Sequence, residues 1–209
     1  MEAGKVGSVE RSAGQQTPCS TPVETIEKLG KMGYGREEAA GLPASVTCGS
    51  AGCGNPVAFA DLKEGETVLD LGSGVGMDCF LAAKRVGSRG KVIGVSNSAE
   101  HIAAANENKR KLGAANVELR YGQLEHLPVE DDSVDVAISN CVSIVMRGEG
   151  SVARETFRAL RPGGRLVTTG QLEKLLDPLR AAGFEQIETP FGGIVRSRKP
   201  PVRQKEQGG

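Results

Sequence analysis

The chain has 209 residues, and 26 lysines and arginines balance 26 aspartates and glutamates. A net charge of zero gives no general pull toward nucleic acid or an anionic membrane surface. Aromatic residues at 3% with no tryptophan leave little material for a base-stacking platform. With 38% hydrophobic residues, the length fits one domain with modest tails. The basic runs Lys109-Arg110-Lys111 and Arg196-Ser197-Arg198-Lys199 read as solvated surface. No apolar run has membrane length and the N-terminus has no apolar signal core, so the expected location is cytoplasmic, with neither membrane nor nucleic acid as a partner. The five cysteines, Cys19, Cys48, Cys53, Cys79 and Cys141, are odd in number and irregularly spaced, which argues against a disulfide framework.

Residues 1–20 are rich in Gly, Ser, Thr and Gln without periodicity and read as a flexible tail. Residues 21–60 form a helical and loop segment. "TPVETIEKLGKMGY" starts a helix on proline, "REEAAGLP" adds a shorter one, and "SVTCGSAGCGNP" reads as a glycine-rich loop. From 61 to 199 the pattern is regular. "TVLDL", "KVIGV", "NVELRYG", "SVDVAIS" and "RLVTT" are strands, the first of the continuous apolar character of a buried parallel strand. Helices lie between them, "DCFLAAKRVG", "AEHIAAANENKRKLG" and "GSVARETFRALRPGG", the last ended by Pro162-Gly163. "LEKLLDPLRAAGF" is a helical pattern in which Pro178 predicts a kink or a break. "EQIETPFGGIVRSR" predicts two strands joined through Gly192-Gly193, and residues 200–209 are a second tail. Alternating strands and helices predict an α/β, three-layer, Rossmann-like fold. Its seven-stranded sheet is mostly parallel and closes on an antiparallel terminal hairpin. Ligands of such sheets sit beyond the carboxyl ends of the strands, where strand order reverses.

The turn "DLGSGVG" joins the first strand to the first helix of this regular part. Gly72, Gly74 and Gly76 depart from the dinucleotide spacing, because Met77 stands where a third glycine belongs. Asp70 at the strand end suits a cationic or amino-bearing ligand better than a phosphate. The turn, with "LRPGGRL" before the fifth strand, resembles the seven-stranded class of S-adenosylmethionine-dependent methyltransferases. That resemblance implies S-adenosylmethionine as cofactor, with Asp70, Gly72, Ser73, Gly74, Gly76 and Asn140 around its methionine and ribose. The second strand of that class ends in an acidic residue that holds both ribose hydroxyls; here the position is Ser96. A hydroxyl replaces a charge-assisted pair, at a cost of about 1.5–3 kcal/mol of cofactor affinity. Asn97 or Ser98 offers the alternative partner. The adenine would be met by Gln123, through its amide oxygen, and by Leu124. His126 reads as a surface histidine.

"MGYGREEAAGLP", "SAGCGNPVAFADLKEGETVLDLGSG", "DCFLAAKRVG" and "ISNCV" resemble a narrower group, the arsenite S-adenosylmethionine methyltransferases, over about residues 30–165. This implies arsenite, or its thiol conjugates, as a small-molecule substrate held by cysteine thiolates, and a thiol reductant such as glutathione or thioredoxin. Cys53 and Cys141 would be the arsenic ligands. Cys48, an extra cysteine in the same loop, or the more loosely matched Cys19 would assist. Trivalent arsenic is thiophilic, so soft thiolates select it, and orientation rather than acid–base chemistry is what the enzyme must supply. Cys79 reads as a small buried hydrophobe. With only His101 and His126 and no second cysteine pair, zinc does not fit. The chain departs from the family in three places. No cysteine follows Cys141, "SNCV" continues as "SIVM", and Ser96 replaces the acidic ribose ligand. Methylation of another small molecule, such as a quinone-like acceptor, and metalloid binding without turnover are the alternative readings.

Overall fold

The computed structural model describes residues 22–49, 53–140, 150–190 and 193–202. Four short helices come first: α1 (Pro22–Lys31), α2 (Arg36–Ala40), α3 (Ala44–Thr47) and α4 (Pro56–Phe59). The alternating part then runs β1 (Thr67–Leu71), α5 (Met77–Val86), β2 (Lys91–Ser96), α6 (Ala99–Leu112), β3 (Val117–Tyr121) and β4 (Val134–Ser139). It continues through α7 (Ser151–Ala159), β5 (Leu160–Thr169), α8 (Leu172–Ala182), β6 (Glu185–Glu188) and β7 (Ile194–Arg198).

The seven strands form one sheet in the order β3-β2-β1-β4-β5-β7-β6. The first five pair in parallel, and β7 runs antiparallel to both β5 and β6, as the hairpin pattern predicts. Strand order reverses between β1 and β4, so the crevice for a ligand opens above Leu71 and Ser139, which are paired neighbours. Each face carries its own core. Val68, Phe80, Leu81, Val92 and Val136 pack with the N-terminal helices on one side. Leu69, Leu71, Ile93, Leu175, Leu179 and Phe184 pack on the other. The alternation of Val68 and Leu69 between the two clusters is the two-residue period of a strand buried on both faces.

Local differences from the sequence reading have physical causes. The fifth strand begins at Leu160, before Pro162-Gly163, because Leu160 pairs with Val134 while Arg165 pairs with Val136. The residues between form a bulge, the position where a sheet tolerates a proline without a donor. Helix α8 passes through Pro178 without breaking. Leu175 and Leu179 on either side of it are fully buried, and their packing outweighs the lost backbone bond. The loop at 44–59 contains α3 and α4, the latter capped by Asn55, whose Oδ1 accepts from the Ala58 amide at 3.1 Å. The N-terminal helices are fastened to the sheet by Arg165. Its guanidinium donates to both oxygens of Glu66 at 2.8 Å and to the Ala60 and Asp61 carbonyls at 2.6 Å. Among the described residues no helix is long and apolar enough to cross a membrane.

Candidate active site

The glycine turn leaves β1 and enters α5 in left-handed backbone. Gly72, Gly74 and Gly76 have φ of +77°, +52° and +96°, a region open to glycine at little cost. A Cβ on Gly72 or Gly74 would meet nothing within 4 Å, so their faces are open to a ligand; one on Gly76 would lie 2.7 Å from the Phe80 ring. The Gly72 and Ser73 amides both donate to the Val95 carbonyl, at 2.9 and 3.0 Å, which pins the turn to the end of β2. Ser73 Oγ is buried beside the Cys79 thiol, with no other hydrogen-bond partner among the described residues.

Two carboxylates lie under the turn. Asp70 is 2% exposed and Asp78, in the first turn of α5, is 7% exposed. Neither makes an ion pair among the described residues. The Cys79 thiol donates to Asp70 Oδ2 at 3.1 Å. Tyr34 Oη donates to Asp78 Oδ1 at 2.7 Å, across from the N-terminal segment. Burial pushes both carboxyls up from the usual range, and the charge of Asp78 adds to the effect on Asp70. Burial and then the neighbouring acids hold the Cys79 thiol and the Tyr34 phenol protonated. The result is a desolvated acidic floor with an open glycine turn over it, which suits a ligand that brings positive charge.

Asn140, at the end of β4, joins this floor to the thiol loop. Its Oδ1 accepts from the Cys53 amide at 2.8 Å, Thr169 Oγ1 at 2.9 Å and the Gly54 amide at 3.3 Å. Its Nδ2 donates to Tyr34 Oη and the Gly54 carbonyl at 2.7 Å and to Asp78 Oδ2 at 3.0 Å. Cys53 is thus held above the switch point with an exposed side chain. Cys48 closes α3, and its neighbours pack on the same turn. Gly49 lies against Val75 of the glycine turn. Ser45 of α3 donates to buried Asn108 at 2.6 Å, and Asn108 donates to the Val75 carbonyl at 3.2 Å. Two of the expected arsenic-binding cysteines therefore flank the glycine turn. Cys48 is disulfide-bonded. Cysteine count and spacing argued against a disulfide framework and did not point to this single bond. Spacing along the chain does not reveal which cysteines a fold brings together. Cys19 and Cys141 lie outside the described residues. Cys79 is buried, as its helix position predicts, though its thiol also serves as a donor.

At the other end of the crevice Ser96 is 4% exposed and accepts from the Ser98 amide at 3.3 Å. The Ser98 hydroxyl is committed elsewhere: it caps α6 by accepting from the His101 amide at 3.2 Å and donates to Glu100 at 2.7 Å. Gln123 is exposed and its carbonyl accepts from the His126 amide, while Leu124 is buried in the second core cluster. His126 is exposed, as expected. Sequence reasoning missed Tyr34, Asp78, Asn108 and Thr169. "MGYG" drew notice for its wording alone. Asp78 stands in the first turn of α5, and only distant partners give these side chains a role.

Residues 62–190 match a family model described as a methyltransferase domain. The chain is 52% identical over 136 residues to an arsenite methyltransferase of Halobacterium salinarum, covering 65% of this chain and 34% of that protein. It is 43% identical over 122 residues to an arsenite methyltransferase of Aquipseudomonas alcaligenes, covering 55% and 35%. Among solved structures it is similar to an arsenic(III) S-adenosylmethionine methyltransferase from Chlamydomonas reinhardtii. The TM-score is 0.61 at 26% identity, over 89% of this chain and 75% of that one. The chain spans about a third of the length of the two curated relatives.

Proposed function

Because the chain belongs to the methyltransferase-domain family, we propose that it transfers the methyl group of S-adenosylmethionine to trivalent arsenic held on its own cysteine thiolates. The observation that carries this reading is the docking of the Cys53 backbone on Asn140, which sets a thiol-bearing loop over the switch point beside the glycine turn. The residues present fit the cofactor. Gly72 and Gly74 leave an open cradle, Ser73 Oγ is buried at its edge, and Asp70 and Asp78 form a floor with no ion pair among the described residues. In this reading Asp70, Gly72, Ser73, Gly74 and Gly76 hold the methionine end. Ser96 meets the ribose, and Gln123 with Leu124 meets the adenine. When bound, the cofactor supplies an electrophilic methyl group on a cationic sulfur.

Cys53 and Cys141 hold arsenic, and Cys48 or Cys19 completes a three-thiolate set. Arsenic keeps its lone pair in such a set, so no side chain has to remove a proton from the nucleophile. The protein's task is orientation. Asp78, Tyr34 and Asn140 hold the thiol loop against the cofactor side of the crevice. Cys48 becomes a ligand only after its disulfide takes up two electrons, which two equivalents of a thiol such as glutathione, or one thioredoxin dithiol, provide. A reducing, cytoplasmic setting goes with that requirement. The catalytic unit is the segment 61–199, which carries Cys141, and the segment 21–60 brings Cys48 and Cys53 to it.

The test is incubation of the reduced protein with arsenite, glutathione and methyl-labelled S-adenosylmethionine. Labelled methylarsenicals from the wild type, and none from Cys53→Ser, are expected. Cofactor binding with thiol-dependent arsenite binding but no labelled product would overturn methyl transfer. Turnover unaffected by Cys53→Ser would place the substrate elsewhere.

A further inference from the structure

We infer that Asn140 is a positioning residue, whose side-chain amide fixes the Cys53–Gly54 backbone relative to Asp78 and so sets where the Cys53 thiol stands over the crevice. The inference rests on the proposed arsenic chemistry for its effect on turnover, and on geometry alone for its effect on the loop.

A primary amide offers two donor hydrogens and two acceptor lone pairs. Around Asn140 these are all in use. Three donors converge on Oδ1, the amides of Cys53 and Gly54 and the hydroxyl of Thr169, and three acceptors surround Nδ2, on Tyr34, Gly54 and Asp78. The orientation is fixed by these partners. Two backbone N–H groups demand an oxygen, and an Asp78 carboxylate oxygen at 3.0 Å demands a nitrogen. Aspartate at 140 would set a second carboxylate against Asp78. Leucine would leave the Cys53 amide without this acceptor. Glutamine is one methylene too long for a site packed on four sides.

Those four sides belong to separate parts of the chain. Tyr34 lies in the N-terminal segment, Cys53–Gly54 in the thiol loop, Asp78 in the first turn of α5, and Thr169 at the end of β5. One side chain therefore ties the thiol loop to the helix that follows the glycine turn. The space above Gly54 is equally defined, since a Cβ there would stand 3.2 Å from the Thr169 methyl. With the amide's hydrogen-bonding groups engaged by protein atoms, its contribution to cofactor binding through the side chain is small, and its contribution to thiol placement is large.

The experiment uses Asn140→Ala and Asn140→Gln in the full chain, with Tyr34→Phe as a milder variant should the alanine protein fail to fold. Amide hydrogen exchange at residues 53–54, S-adenosylmethionine affinity by calorimetry, and kcat and KM for arsenite are measured. In Asn140→Ala, exchange at Cys53 and Gly54 rises at least about tenfold and kcat/KM for arsenite falls about a hundredfold. The cofactor Kd changes less than about threefold, because the glycine turn is held independently. Asn140→Gln does not restore the rate, and Tyr34→Phe gives the same pattern at smaller amplitude. Unchanged exchange at 53–54 overturns the inference. So does a loss of cofactor affinity in parallel with the rate, which would make Asn140 a cofactor ligand. If wild-type protein makes no methylated arsenic, the proposed function fails, and the exchange measurement still decides whether Asn140 holds the loop.

Discussion

Replacing Ser96 by aspartate should tighten S-adenosylmethionine binding. In the present chain the end of β2 offers a single hydroxyl, 4% exposed, that already accepts from the Ser98 amide at 3.3 Å. Ser98 cannot stand in for it, because its own hydroxyl caps α6 and bonds Glu100. A carboxylate at 96 brings two acceptors for the two ribose hydroxyls. Charge-assisted bonds contribute about 1.5–3 kcal/mol against about 0.5–1.5 kcal/mol for a neutral one. The position lies just before the N-terminus of α6, where the helix dipole adds about 0.3–1 kcal/mol in favour of a negative charge. Burial of the new charge and its neighbour Glu100 take back part of the gain. The net gain is about 1–2 kcal/mol, or a Kd about five- to thirtyfold lower. Calorimetry with both S-adenosylmethionine and S-adenosylhomocysteine is the assay, since the two share the ribose and must gain together. Unchanged or weaker binding of both would refute the premise that the ribose is read at the end of β2.

Other outcomes follow from the packing and the buried acids. Gly94→Ala places a Cβ 2.6 Å from Cys79 Sγ and 2.9 Å from Ser73 Cβ. It should cost about 1–3 kcal/mol in urea unfolding and weaken cofactor binding, and a neutral effect would contradict the close seating of the glycine turn on β2. Arg165→Met strands Glu66 and two carbonyls under α4, with an expected loss of about 3 kcal/mol. A loss below about 1 kcal/mol would mean that the clamp is superfluous. The raised pKa values of Asp70 and Asp78 mean that the folded form binds protons more tightly than the unfolded chain. Their stabilisation is complete at acid pH, below the ordinary carboxylate range, and is lost as pH rises through the raised value of Asp70, about 8. The unfolding midpoint of the ligand-free protein should therefore fall from pH 5 to pH 9 and be partly restored by the cationic cofactor; a flat profile would contradict the desolvated floor. In native alkylation Cys53, which is exposed, should be labelled, while buried Cys79 is labelled only after denaturation. Labelling of both at one rate would contradict the burial.

The fold was largely legible because it is written in periodicity. The apolar runs at 67–71, 91–96 and 134–139 are strands buried on both faces, and glycines closed the intervening helices as expected. Boundaries failed where pairing, not composition, decided them, as at Leu160 and Pro162, and of the kink or break expected at Pro178 the break does not occur. The site was half legible. Glycines that need positive φ and an acid at a strand end announce themselves locally. The Tyr34–Asp78 bond spans 44 positions, and Asn140 reaches Tyr34 across 106. No local pattern encodes such meetings. The erosion inferred at Ser96 is now more specific, because the structure shows its obvious substitute, Ser98, engaged in a helix cap.

The central claim is that the chain's own thiolates hold arsenic where it can receive a methyl group. The most direct measurement is a single turnover of reduced protein with one equivalent each of arsenite and deuteromethyl S-adenosylmethionine, without free thiol, followed by mass spectrometry of the quenched mixture. Consumption of the labelled cofactor with the deuteromethyl group on arsenic, bound to the protein or released, is the predicted result. Arsenic retained on the cysteines with the labelled cofactor unconsumed would contradict the account.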